Sequence, residues 1–510
     1  MKISMRMRVE ICALAAASAC AAPGDSEQAR EPVASQRETV ALDRRGPFTI
    51  HGTATLHGVT STGIESNPID LSAAPFAVYS LSHGELVREV GVGLADGTFT
   101  VPVTTGARTW ELETNLFGTP NLAVGDAREP DLDRTVLGRL DATQPTAETD
   151  VSISATGLAA WQFADTTQIM SANNGAVVFS PEFQFATPPA IGDTAITAQT
   201  IDWAAQGVPL VEAAKGDTVV MSQLVTRTSG TEVYNAVARI GAADGFTQRD
   251  GVAATLNVVM SPVPQKSLAL HWEGPRFEAL RAEAGASAVD LAGAPLFFID
   301  ALPDAERFGF YANAPDLMGY FPSDSTANLA VTVEYGNPYS TRGRPWDEFA
   351  IINYPFAVPV QLGAAAPRNE FAGYHANLSL SQLCDGIIAP LISPVRNVRI
   401  AGRDLGVAQS GVGPSPTVRW DAPRLGRATQ YFVSLKQLTE VSARTVSTVV
   451  ASFVTRDRSL QIPSTFLVPG GTYLLSMTAV NFGTVDRTTS LFGDGLPFAS
   501  ARSITATFTP

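Results

Sequence analysis

The sequence predicts an all-β chain, a multidomain string of antiparallel β-sandwiches after a disordered N-terminal tether. Three observations carry this expectation. Gly (42) and Pro (34) recur at short intervals along 510 residues. Between them lie short runs of Val, Ile, Thr and Phe with period-two alternation, the pattern of half-buried sandwich strands. Helical periodicity is confined to one candidate, Pro275–Ala284, with Pro at its start, good helix formers inside and Gly285 after it. A chain this long is expected to divide into three or four domains.

The leader comes first. Lys2, Arg6 and Arg8 form a basic start, and Ile11 to Ala19 a short apolar run. A bilayer span takes about 20 apolar residues, so this run suits an export signal instead. Ala17-Ser18-Ala19-Cys20 resembles the lipobox of bacterial lipoproteins, with Ala17 where that family usually has Leu. The resemblance implies cleavage after residue 19 and a lipid on Cys20. It makes the membrane a partner through that anchor and places the protein in the outer membrane or at the cell surface. Cleavage after Ala19 or Ala22 without lipid would instead give a secreted protein. Residues 20–46 are small and polar, too poor in apolar surface to order themselves, and read as the tether.

Composition narrows the rest. The formal charge is −14 and charged residues make up 16%. An acidic chain repels phosphate backbones, which argues against nucleic acid as a partner. The cysteines are Cys12, Cys20 and Cys384, with no Cys-x-x-Cys, so neither thiolate zinc nor a disulfide framework is expected. No cofactor and no metal site is read from the chain.

The folded part divides into four expected segments. In 47–149, runs around Phe48–Leu56, Phe76–Tyr79, Glu85–Gly91 and Thr98–Val103 read as strands, with Leu94-Ala95-Asp96-Gly97 as a hairpin turn. The strand order with Asp-Gly-Thr-Phe-Thr-Val-Pro before a final strand, Thr109–Thr114, resembles the carboxypeptidase regulatory-like (transthyretin-like) sandwich. That resemblance implies an accessory module without catalytic residues. The acidic stretch Asp126–Asp133 reads as a solvated loop, with calcium as the weaker alternative.

Segments 150–265 and 266–390 are both β-rich, the second with the single helix; whether they form one domain or two stays open. Asn328–Tyr335 is the clearest alternating strand. Segment 391–510 carries Trp420 on one predicted strand, and Leu467 and Tyr473 around Pro469-Gly470. This arrangement resembles a fibronectin type III domain. It implies Trp420 as core aromatic and Tyr473 as a tyrosine corner, its hydroxyl bonded back to the preceding turn.

A search for chemistry finds no catalytic residue to name. There is no Gly-x-Ser-x-Gly elbow, phosphate loop or His-Glu-x-x-His. His51 and His57 lie six apart; one unbroken strand would hold them about 20 Å apart on one face, too far for a shared metal. One cluster offers a ligand-binding surface: Arg344, Trp346, Asp347 and Glu348, near Tyr339 and Arg342, where an aromatic with charged neighbours suits a sugar or a protein. The competing reading is a surface loop whose Trp covers the core. The function expected is a non-catalytic cell-envelope lipoprotein with a structural or protein-recognition role. The alternatives are a secreted carbohydrate-binding or adhesive protein, and a hydrolase with its site in 150–390, whose paired carboxylates would leave no local motif.

Overall fold

The computed structural model describes residues 46–83, 85–116, 120–285, 287–290, 295–339, 346–482 and 495–510. The leader, Cys20, the tether segment and Arg344 lie outside the described residues. The chain is all-β, with 53% strand and 7% helix, and its sandwiches, antiparallel for the most part with parallel pairs such as Asp150–Thr156 beside Ala254–Val259, follow one another along the sequence.

In the first unit, Phe48–Thr53, Val92–Gly93 and Thr98–Val103 form one layer. Phe76–Ser82, Glu85–Val90, Trp110–Thr114 and Asn121–Gly125 form the other. Ile50, Phe99 and Val101 meet Phe76, Val78, Trp110 and Leu112 between them. Alternation fixes this, because every second residue faces the core. The Asp96-Gly97 turn connects a shorter ladder than the sequence suggests. Val92–Gly93 pairs with Phe99–Thr100, whereas Glu85–Val90 pairs with Phe76–Ser82 in the opposite layer. The chain changes layers at Gly91, where a Cβ would stand 2.4 Å from Val101. The run holding both early histidines also breaks. Phe48–Thr53 and Thr55–Val59 are separate strands in separate sheets, so His51 and His57 do not share a face.

The second unit packs Ala195–Asp202, Asp150–Thr156 and Ala254–Val259 onto Thr166–Ser171, Ala176–Phe179, Val219–Ser229 and Glu232–Ala243. The third sets Lys266–Glu273, Asn328–Tyr335 and Ile387–Ile388 against a sheet built on Leu296–Pro303, Asp316–Tyr320, Trp346–Val360 and Arg368–Ser379. Its helical segment is two short turns, Gly274–Glu278 and Arg281–Ala284. Leu280 N bonds to Phe277 O at 2.9 Å, a tightened turn that interrupts the expected single helix. The fourth unit faces Arg396–Ile400, Thr417–Asp421 and Ser459–Gln461 with Gln430–Val441, Arg444–Thr455, Thr472–Phe482 and Phe498–Ile504. Trp420 is buried edge-on to Tyr431, 5.3 Å between centroids. Val468 N donates to Tyr473 Oη at 2.7 Å, the bond a tyrosine corner requires.

One 18-stranded sheet passes through all four units. The second joins the third where Tyr234–Ala236 pairs antiparallel with Met318–Tyr320. The third joins the fourth through Gly373–Asn377 and Phe498–Arg502. The fourth joins the first through a parallel ladder, Ser452–Val454 with Asn121–Ala123. The first and second meet without such a ladder, by Ser61 N and Arg139 N on the Asn173 side-chain and main-chain oxygens at 3.1 and 2.8 Å. The units therefore close into a ring.

Candidate functional site

Trp346, Asp347 and Glu348 begin the strand Trp346–Val360, opposite Pro303, Leu302 and Ala301. Alternation along that strand sends Trp346 and Glu348 to one face and Asp347 to the other. Trp346 is 6% exposed and stacks on Tyr339, 4.7 Å between centroids. Its ring covers the core and presents no open face on which a sugar could stack. Asp347 Oδ2 accepts from Glu306 N at 3.0 Å and so holds the turn Ala305–Phe308. Glu348 is bound from three sides. Lys266 Nζ donates to both carboxylate oxygens at 2.7 Å, Tyr335 Oη donates at 2.8 Å and Asn337 Nδ2 at 3.0 Å. Burial, then the negative charge of Glu348, pushes the Tyr335 phenol far up, so it stays a donor. The cluster ties three strands of the third unit together, and its acceptors are occupied by protein groups.

Asp126 and Glu129 are exposed on the acidic loop. Asp133 serves the fold: its Oδ1 accepts from Thr55 N at 2.8 Å, and its Oδ2 lies 3.5 Å from His57 Nε2.

Glu111, Glu182 and Glu232 are among the buried carboxylates displaced from ordinary behaviour. Burial alone pushes Glu111 up to about 8. Its strand partners are Tyr79 and Val124, and Tyr79 reaches across to Thr465 and Phe466, so Glu111 faces the seam between the first and fourth units. Burial pushes Glu182 to about 7 against a 2.7 Å bond from Thr167 Oγ1. Glu232 shifts the other way: burial raises it, but donors from Ser323 and Tyr320 outweigh that and hold it low. Asp165, buried near Glu182, accepts from Thr226 N at 2.7 Å and Gln162 N at 3.0 Å. Neither Asp165 nor Glu182 lines the cleft over the third unit's small sheet or the cleft where the first three units meet.

Two clefts are the concavities to weigh. One, about 480 Å³, lies over the small sheet of the third unit and is edged by His271, Glu273, Asn328 and Asp385. Glu273 there is paired with Arg276 at 2.5 Å. The other, about 300 Å³, opens where the first three units meet, and its rim carries Gln144 and Asn313. Sequence reasoning passed over both rim residues. Each is a single loop carboxamide without a motif, and only the meeting of the first three units brings them together.

No protein-family model matches the chain, and no curated protein matches it. Among solved structures, it is similar to a leucine-rich repeat protein from Bacteroides thetaiotaomicron, with 13% identity and a TM-score of 0.12 over 48% of this chain and 30% of that one. It is also similar to the FN1–FN3 domains of chicken CNTN1, with 9% identity and a TM-score of 0.12 over 73% and 98%. A third likeness is a streptococcal ancillary pilin, with 11% identity and a TM-score of 0.11 over 63% and 95%. The matched part spans under a third of the leucine-rich repeat protein. Superpositions this loose carry no argument about function.

Proposed function

We propose that this chain is a cell-envelope lipoprotein, anchored through Cys20, whose folded body is a non-catalytic scaffold for protein recognition. The observation that supports this most is the sheet shared by all four units. Three of the four seams are main-chain ladders, so the body carries its outer loops as one rigid piece. Such a body holds surfaces at fixed spacing, which is what a spacer or recognition protein needs. The first unit is read as a carboxypeptidase regulatory-like module. The fourth is read as a fibronectin type III module, supported by buried Trp420 and the Tyr473–Val468 bond. Both are accessory modules in their families. Lipid on Cys20 holds the body to the outer membrane or cell surface.

Palmitate labelling in a bacterial host tests the anchor. The wild type takes up label and Cys20→Ser takes up none; equal labelling of the two would end this reading. Protease shaving of intact cells then reads which face of the membrane the body occupies.

A further inference from the structure

We propose that the cleft where the first three units meet binds the uncharged end of a saccharide. The cleft is built before any ligand arrives. Its back wall, 207–210, is held at three points: Trp203 Nε1 bonds to Pro209 O at 3.0 Å, Asn174 Nδ2 to Leu210 O at 2.9 Å, and Leu210 N to Thr143 O at 2.9 Å. The seam beside it is drawn tight at Gly175, where a Cβ would lie 2.2 Å from Leu137 O and φ is +79°. Only glycine permits that approach.

The chemistry of the lining selects the ligand. Leu137, Val177 and Val208 are buried and give an apolar floor. Tyr311 closes one side, and its hydroxyl is already donated to Pro303 O at 2.7 Å and so is not offered to a ligand. Gln144 from the 138–149 connection and Asn313 from the third unit stand exposed at the mouth. Neither carboxamide has a hydrogen-bond partner among the described residues. Each can both donate and accept, as a sugar hydroxyl does. The C–H face of a pyranose suits the floor. No charged side chain lines the cleft, so an ionised ligand would be desolvated without a counter-charge. The volume, about 300 Å³, is at the small end for ligand pockets. It admits the tip of a glycan; a peptide added as a strand would need a sheet edge instead.

This inference goes beyond the protein-recognition reading and does not depend on the anchor, so failed palmitate labelling leaves it standing. The purified full chain is applied to an array of neutral, sialylated and sulfated glycans. Neutral glycans are expected to bind. The double variant Gln144→Ala, Asn313→Ala weakens binding about tenfold or more, and Ala312→Trp, which fills the mouth, abolishes it. Unchanged melting of both variants confirms the fold. A blank array from folded protein, a preference for sialylated or sulfated glycans, or binding that both variants retain would overturn the proposal. So would selection of neutral peptides over glycans at the same cleft.

Discussion

The third and fourth units are fused, whereas the first is fastened. Between the third and fourth, a five-residue ladder runs beside one shared core that reaches from Phe277 and Tyr354 to Ile504 and Phe508. The first unit reaches the same core with only a few side chains, Tyr79, Leu122 and Leu137, and adds polar groups to them. Arg139 Nη2 reaches Glu212 and Asp217 at 2.7 and 3.0 Å across to the second unit. Toward the fourth, a three-residue ladder stands beside buried Glu111. Apolar contact has no proton to lose, while a buried ionisable group ties stability to pH. The two kinds of seam should therefore yield to different insults.

Alkaline pH gives the largest expected difference. Folded, Glu111 stays protonated up to about pH 8; unfolded, it ionises near 4.5. Its raised value means that its neutral form is free of penalty below 4.5, and that stability falls as pH rises from there to about 8. The full linkage is on the order of 5 kcal/mol. Glu111→Gln keeps the shape and removes the proton. It should match the wild type at pH 4 and exceed it at pH 8 in urea unfolding; parallel pH profiles would refute the assignment. The fused seam carries the opposite sign in His375, edge-on to Phe498 at 5.3 Å. Burial, then Arg502, pushes it from 6.5 down to about 4. Its contribution is present above 6.5 and is lost as pH falls to 4, about 3 kcal/mol, so His375→Leu should flatten the acid limb alone.

Phe277→Ala attacks the fused core directly. The ring is fully buried, stacked 4.9 Å from both Trp272 and Tyr354. The loss should be about 4 kcal/mol, and hydrogen exchange should show the third and fourth units opening together. Opening of the third alone would mean the shared core is two cores in contact.

Arg139→Met tests the fastened side. It strands Asp217, whose side chain is fully buried. Removing one partner of a buried pair costs about 3 kcal/mol. The expected signature is faster exchange at Ser61, Arg139 and Asn173 with the fused half unchanged.

Much of each unit was legible in the sequence, and little of the ring was. Val151, Ile153 and Ala155 alternate in the sequence and are all fully buried, because period two is a side-chain signal. The ladder between Asn121–Ala123 and Ser452–Val454 joins segments far apart in the chain through main-chain groups, which any sequence supplies. The cleft likewise depends on how the first three units meet, so Gln144 and Asn313 carried no mark. Trp346 shows the converse limit. Its charged neighbours fitted either an exposed platform or a ring laid over the core, and it is Tyr339 stacking on it, with Lys266 paired to Glu348 beside it, that decides for the second. Composition of a loop does not tell which way its aromatic turns.

The smallest effect sharpens the comparison within the fused half. Tyr473 is fully buried, and its hydroxyl accepts from Val468 N at 2.7 Å while the ring stacks on Phe508 at 5.8 Å. Tyr473→Phe keeps the ring and removes one bond. Val468 is 58% exposed, so water can partly replace the lost acceptor. The expected loss is about 1 kcal/mol, read as a lower urea midpoint with an unchanged slope. It should add to that of Arg139→Met, since the two sites share no partner. A loss several times larger, or one that changes with Arg139, would mean that this turn also holds the ring closed, and the division into fused and fastened seams would have to be redrawn.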